Sequence, residues 1–180
     1  MYFRNICLYK IECDIYWYIP IYGIKKMFIQ KVCIALNQAK IPYAIVGGYA
    51  VALHGAVRGT VDIDIVISWT LENLKNIEKT FKEIGLVSLL PIDSNSLFLF
   101  RDEYIQNRQM IAWNFYDPNN PINQIDLIIN YNLKKGHTKT ILSSLGKIKV
   151  LSRKDLIAMK KVSGRPQDLE DVKALEGLDS

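Results

Sequence analysis

The 180-residue chain is short of cysteine and histidine, with Cys only at 7, 13 and 33 and His only at 54 and 137. Three thiols so spread make no disulfide framework, and two imidazoles make no zinc-type ligand cluster. A reducing cytoplasm is therefore the expected compartment. Long apolar runs are missing too. Within residues 1–26 the longest uncharged stretch, Ile15 to Ile24, has ten residues, against the roughly 20 that a membrane-spanning helix needs. Lys10, Glu12 and Asp14 interrupt the apolar residues before it, and no small-residue cleavage site follows, so neither a signal peptide nor membrane contact is expected. Ten Gly and six Pro are too few for a collagen-like or low-complexity chain. What is present is 49% hydrophobic and 23% charged residues, the balance of one soluble globular domain, with a formal net charge of +5 compatible with RNA, DNA or nucleotide phosphates.

Residues 1–26 crowd Tyr, Ile and Cys together and read as an N-terminal extension. Two readings fit: an added strand or arm on the domain, or an upstream in-frame extension with Met27 as the natural start, the second being favoured. Residues 27–180 read as a single domain. Apolar spacing predicts helices over Met27–Ala39, Tyr49–His54 and Leu71–Ile84, the last ending at Gly85. Strands are predicted over Tyr43–Val46, Asp62–Ser68, Ser96–Phe100, Met110–Phe115, Gln124–Ile129 and Lys147–Val150. The run Asp117-Pro118-Asn119-Asn120-Pro121 predicts a hairpin connection. Leu156–Val162 and Pro166–Leu175 predict C-terminal helices within 152–176, the second with Pro in its first turn. The fold class is α/β (α+β), a short mixed β-sheet with helices packed on it and a helical C-terminal tail.

The chemistry-bearing stretch is YAIVGGYAVALHGAVRGTVDIDIVIS, Tyr43 to Ser68. Side chains alternate along a strand, so Asp62 and Asp64 share a face opposite Ile63 and Ile65. Two carboxylates at that spacing repel unless a cation lies between them, and oxygen ligands of this kind suit Mg²⁺ with waters and substrate phosphates. Gly47 and Gly48 have no Cβ, so a phosphate chain can approach their backbone where a helix begins. A third acid, Asp126, stands mid-strand among Ile125, Leu127 and Ile129. If its strand lies beside the first, three carboxylates converge, two metals can be held, and Asp126 can take the proton of an attacking hydroxyl. A phosphate cradle beside a carboxylate metal site is what phosphoryl or nucleotidyl transfer requires.

The order Gly47-Gly48, Asp62-x-Asp64 and a later strand acid, Asp126, resembles the DNA polymerase β-like nucleotidyltransferase superfamily. The fuller run from Val46 to Ile65 resembles its small bacterial branch of minimal nucleotidyltransferases, AbiEii-like toxins and DUF6036-type proteins. The tail from Lys160 to Asp171, KKVSGRPQDLED, resembles the basic–acidic segment that ends that branch. The resemblance spans roughly Tyr43 to Leu175. One departure stands out: position 48 is Gly where many active transferases have Ser, so a hydroxyl contact to phosphate is missing. The resemblance implies Asp62, Asp64 and Asp126 as catalytic residues and ligands of Mg²⁺ or Mn²⁺, and Gly47 and Gly48 as triphosphate contacts. It implies transfer of a nucleoside monophosphate from an NTP to a hydroxyl, with pyrophosphate leaving.

Blander readings stand beside these. A lone D-x-D in a strand is commonly a solvated edge. His54 fits a helix end as well as a nucleotide contact. Arg58 and Thr60, just before the acids, can reach a phosphate or line a solvated loop. Lys160, Lys161 and Arg165 can neutralise a triphosphate or form a basic helix face. Asp168 and Asp171 fall in the first turns of the last helix, where acids favour the dipole, and read as structural. Trp69, Trp113, Phe115 and Tyr116 read as core or strand surface. The leading expectation is a metal-dependent nucleotidyltransferase, a toxin–antitoxin component acting on tRNA or another RNA with a cognate antitoxin or toxin partner. The alternatives are an antibiotic- or protein-modifying nucleotidyltransferase, and an inactive nucleotide- or partner-binding domain with an antitoxin-like role.

Overall fold

The computed structural model describes residues 20–143 and 146–179. Its helices are α1 (Pro20–Gln38), α2 (Gly47–Leu53), α3 (Leu71–Glu83), α4 (Ser94–Leu99), α5 (Arg101–Arg108), α6 (Arg153–Ser163) and α7 (Pro166–Glu176). Its strands are β1 (Tyr43–Ile45), β2 (Ile63–Ile67), β3 (Val87–Ser88), β4 (Ala112–Asp117), β5 (Asn120–Ile128), β6 (Thr138–Ser143) and β7 (Gly146–Leu151). They form one mixed sheet in the order β3-β4-β5-β2-β1-β7-β6. The β1–β7 and β2–β5 pairs are parallel and the rest antiparallel. The α/β class with a mixed sheet and a helical tail is the one the sequence predicts. Among the described residues, no helix is long and apolar enough to cross a membrane.

Alternation along the central strands sorts the sheet into two faces. Cross-strand partners share a face, so Ile65, Leu127, Ile45 and Trp113 lie together, as do Ile63, Ile125 and Phe115. All of them are buried. Helix α3 packs there: Leu74, Ile77 and Phe81 recur at helical spacing and are buried. The Phe81 ring meets Phe115 edge-on at 4.9 Å, and Phe115 in turn lies 4.6 Å from Trp113. The Trp113 indole N–H, which would be costly to bury alone, donates to Ser88 Oγ at 2.8 Å. Helix α1 also joins this layer through Cys33 and Leu36, with Cys33 beside Tyr43. The opposite face carries Asp64 and Asp126 side by side.

Three expectations change. Ser96–Phe100, predicted as a strand, falls in α4 and its C-cap Phe100, because Asp93 caps that helix by accepting the Ser96 N–H at 2.7 Å. Helix α1 starts at Pro20, seven residues before the predicted start, a position where the missing proline N–H costs nothing. Helix α5 and strands β3 and β6 have no counterpart in the sequence reading; β6 pairs antiparallel with β7 at the sheet's edge. The expected status of the extension falls, for residues 1–19, outside the described residues.

Candidate functional site

The site begins where β1 ends. The Val46 N–H donates to the Asp64 carbonyl at 2.9 Å, which locks the end of β1 onto β2. The chain then turns through Gly47 at φ +61°, a left-handed conformation that favours glycine. A Cβ built on Gly47 would stand 2.5 Å from Asp64 Cγ, so the Asp64 carboxylate occupies the room a side chain would need. Gly48 is enclosed from the other side. A Cβ there would lie 2.6 Å from Thr60 Cβ and 2.8 Å from Thr60 Oγ1. The two glycines are thus fitted to two particular side chains, Asp64 and Thr60.

Asp64 and Asp126 are direct partners on the parallel strands β2 and β5. Asn114, opposite Asp126 on β4, donates its amide N–H to Asp126 Oδ1 at 2.7 Å. Burial, then the charges of Asp126 and Asp62, push the Asp64 carboxyl up to about 6, against the opposing pull of Lys160 and Arg165. Asp126 is raised as well, first by burial and then by Asp62, while the Asn114 hydrogen bond works the other way. Asp62 stands just before β2, close enough to act on both. Among the described residues, no three His, Cys, Asp or Glu side chains are drawn together tightly enough to hold a metal ion by themselves. Two carboxylates in direct register, both with raised proton affinity, still fit a hard divalent cation, which takes one or two protein oxygens and completes its shell with waters and phosphates.

The predicted cations divide into different settings. Arg58 Nε lies 3.0 Å from Asp171 Oδ1, and its Nη1 also donates to the Gly59 carbonyl. Lys160 is buried and bonded to both Asp168 and Asp171. Arg165 is exposed, with Nε donating to Asp168 Oδ2 at 2.7 Å. Lys161 pairs with Glu176 at 2.7 Å. His54 Nε2 donates to the Leu151 carbonyl at 2.8 Å and so ties α2 to β7. Sequence reasoning missed Asn114, whose signal was a polar residue between the buried Trp113 and Phe115. It also missed that Asp168 and Asp171 are buried partners of cations. The 3.0–2.7 Å contacts to Lys160 depend on how α6 and α7 fold back on each other.

No family model matches the chain, and no curated protein matches it. Solved structures do. The antibiotic-resistance factor ANT(2″)-Ia superposes with a TM-score of 0.58 at 13% identity, over 85% of this chain and 83% of that one. The fold is that of nucleotidyltransferases. An antigenic nucleotidyltransferase-like protein from Paracoccidioides brasiliensis aligns with a TM-score of 0.56 at 19% identity, over 85% and 75% of the two chains. The lincosamide antibiotic adenylyltransferase LnuA, solved with lincomycin bound, aligns with a TM-score of 0.55 at 15% identity, over 84% and 95%.

Proposed function

We propose that this chain is a nucleotidyltransferase that moves a nucleoside monophosphate from an NTP to a hydroxyl acceptor. The observation that carries this is the register of Asp64 against Asp126, next to a left-handed glycine whose missing side chain is replaced by the Asp64 carboxylate. Asp62, Asp64 and Asp126 would hold Mg²⁺ or Mn²⁺, which when bound neutralises charge on the phosphates in transfer. Gly47 and Gly48 offer backbone to the triphosphate, and Thr60 brings a hydroxyl to the edge of Gly48 in place of one on residue 48. Arg58 and Arg165 supply positive charge beside it. Asp126, held by Asn114 and inclined by burial to bind a proton, takes the proton of the acceptor hydroxyl as its oxygen bonds to the α-phosphorus. The bond to pyrophosphate breaks, and pyrophosphate leaves.

The acceptor end of the site carries its own signal. No Lys, Arg or His stands between Gln109 and Leu133, the segment that holds β4, β5 and Asp126. That supports a small neutral or cationic hydroxyl compound, since a polyanion would meet carboxylates there without compensation. The neighbours agree in kind: ANT(2″)-Ia has been solved with adenylyl-2″-tobramycin and LnuA with lincomycin. A second reading, tRNA or another RNA in a toxin–antitoxin pair of the small bacterial branch, is favoured by the many Lys and Arg residues from Lys134 to Lys173.

Incubating the protein with Mg²⁺, each α-labelled NTP and either a bacterial extract or a panel of aminoglycosides and lincosamides tests both. Label on a small molecule, lost in Asp62→Asn/Asp64→Asn, is the expected result. Label in a tRNA-sized band would establish the second reading. Transfer that persists in the double variant would remove the acids from the mechanism.

A further inference from the structure

Five charged side chains meet where α6, α7 and the loop before β2 come together. At their centre is Lys160, 5% exposed, whose ammonium donates to Asp168 Oδ1 at 3.0 Å and Asp171 Oδ2 at 2.7 Å. Both carboxylates are buried, and each turns its other oxygen to a guanidinium. Asp168 Oδ2 accepts from Arg165 Nε at 2.7 Å, and Asp171 Oδ1 lies 3.0 Å from Arg58 Nε. Three cations against two carboxylates leave the group positive. It adjoins the acid site through the loop that carries Arg58: Thr60 in that loop closes on Gly48, and the neighbouring Gly47 closes on the Asp64 carboxylate.

The roles within the group differ by exposure. Lys160 is enclosed, and withdrawing it would leave one oxygen of each buried carboxylate without its counter-charge. The Arg165 side chain is 70% exposed and that of Arg58 22%, so both keep donors for a ligand while one edge is held. We propose that Lys160 is a positioning residue that, through Asp168 and Asp171, aims Arg165 and Arg58 as a two-armed clamp on the substrate's polyphosphate without touching it. This rests on the nucleotidyltransferase reading above. It makes the α6–α7 pair part of the binding site, one arm coming from the helix pair and the other from the Arg58–Thr60 loop beside Gly48.

The test is calorimetric binding of each Mg–NTP, Mg–tripolyphosphate and the matching NMPs. Lys160→Met alone leaves one oxygen of each buried acid without its cation, so the informative variant is Lys160→Met/Asp168→Asn/Asp171→Asn, neutral and close in shape, with its fold checked by circular dichroism and thermal midpoint. Triphosphate affinity should fall at least about tenfold, as expected when charge-assisted contacts lose their orientation, and the preference for NTP over NMP should shrink with it. In an Arg58→Ala/Arg165→Ala background the same triple change should cost no further affinity. An equal further loss there would make Lys160 a direct ligand and overturn the proposal. Unchanged triphosphate binding in the folded triple variant, with loss in Asp64→Asn, would overturn the clamp and leave the transferase reading standing. No binding by the wild type would overturn both.

Discussion

Gly47 shows what a single residue decides in this protein. Its backbone is left-handed at φ +61°, and its missing side chain makes room for the Asp64 carboxylate. Gly47→Ala therefore meets a conformational penalty and a steric one together. We expect a loss of about 1–3 kcal/mol of stability, read by urea unfolding, and loss of transfer activity in the same variant. A stable, fully active Gly47→Ala protein would show that Asp64 is not held against this turn. The glycine pair and the D-x-D spacing were legible in the sequence because glycine and paired acids are rare enough to stand out. Asn114 was not, since nothing in the sequence says which residue of β4 faces Asp126.

At the scale of elements, local signals decided most boundaries. Helix α3 opens on Thr70, whose Oγ1 accepts the Asn73 N–H at 3.1 Å, and its buried stripe follows helical spacing. Thr70→Ala should cost about 1 kcal/mol, measured as a shift of the urea midpoint at constant m-value. An unaltered midpoint would mean that packing of Leu74, Ile77 and Phe81 alone sets this helix. Helix α6 ends on Gly164 at φ +65°, and Pro166 opens α7, the same punctuation the sequence displays. The segment at 96–100 went the other way. Its run Leu-Phe-Leu-Phe after Ser96 suits a strand, yet the Asp93 cap starts a helix and only Leu97 of the five is fully buried. A short apolar run does not carry its own period, and the cap three residues earlier outweighed it.

For the molecule as a whole, the ionic group at the α6–α7 junction links stability to pH. Burial alone would raise the Asp168 carboxyl, but hydrogen bonds from Arg165, Ser163 and Lys160 hold it well below the usual carboxylate range. A carboxyl lowered in the folded state contributes stability that is fully present above its unfolded value, about 4, and is lost as pH falls from there through the folded value. Stability should therefore hold from pH 7 to about 5 on this account and decline below about 4. Asp168→Asn should be less stable at pH 7 and should lose less on acidification, both read by thermal unfolding across pH. Equal slopes for the two proteins would place the acid sensitivity elsewhere.

The sequence by itself determined the class of fold, most helices and strands, and the candidates Gly47, Gly48, Asp62, Asp64 and Asp126, because periodicity, caps and the spacing of acids act over a few residues. Only the tertiary structure decided that β5 lies parallel beside β2, so that Asp126 faces Asp64 across 62 residues of chain. It alone also decided that Thr60 fills the space at Gly48, and that Lys160 is enclosed by Asp168 and Asp171 instead of lying on an open basic face. Strand pairing and helix docking are set by the burial of whole faces at once, and no local stretch of sequence carries that sum.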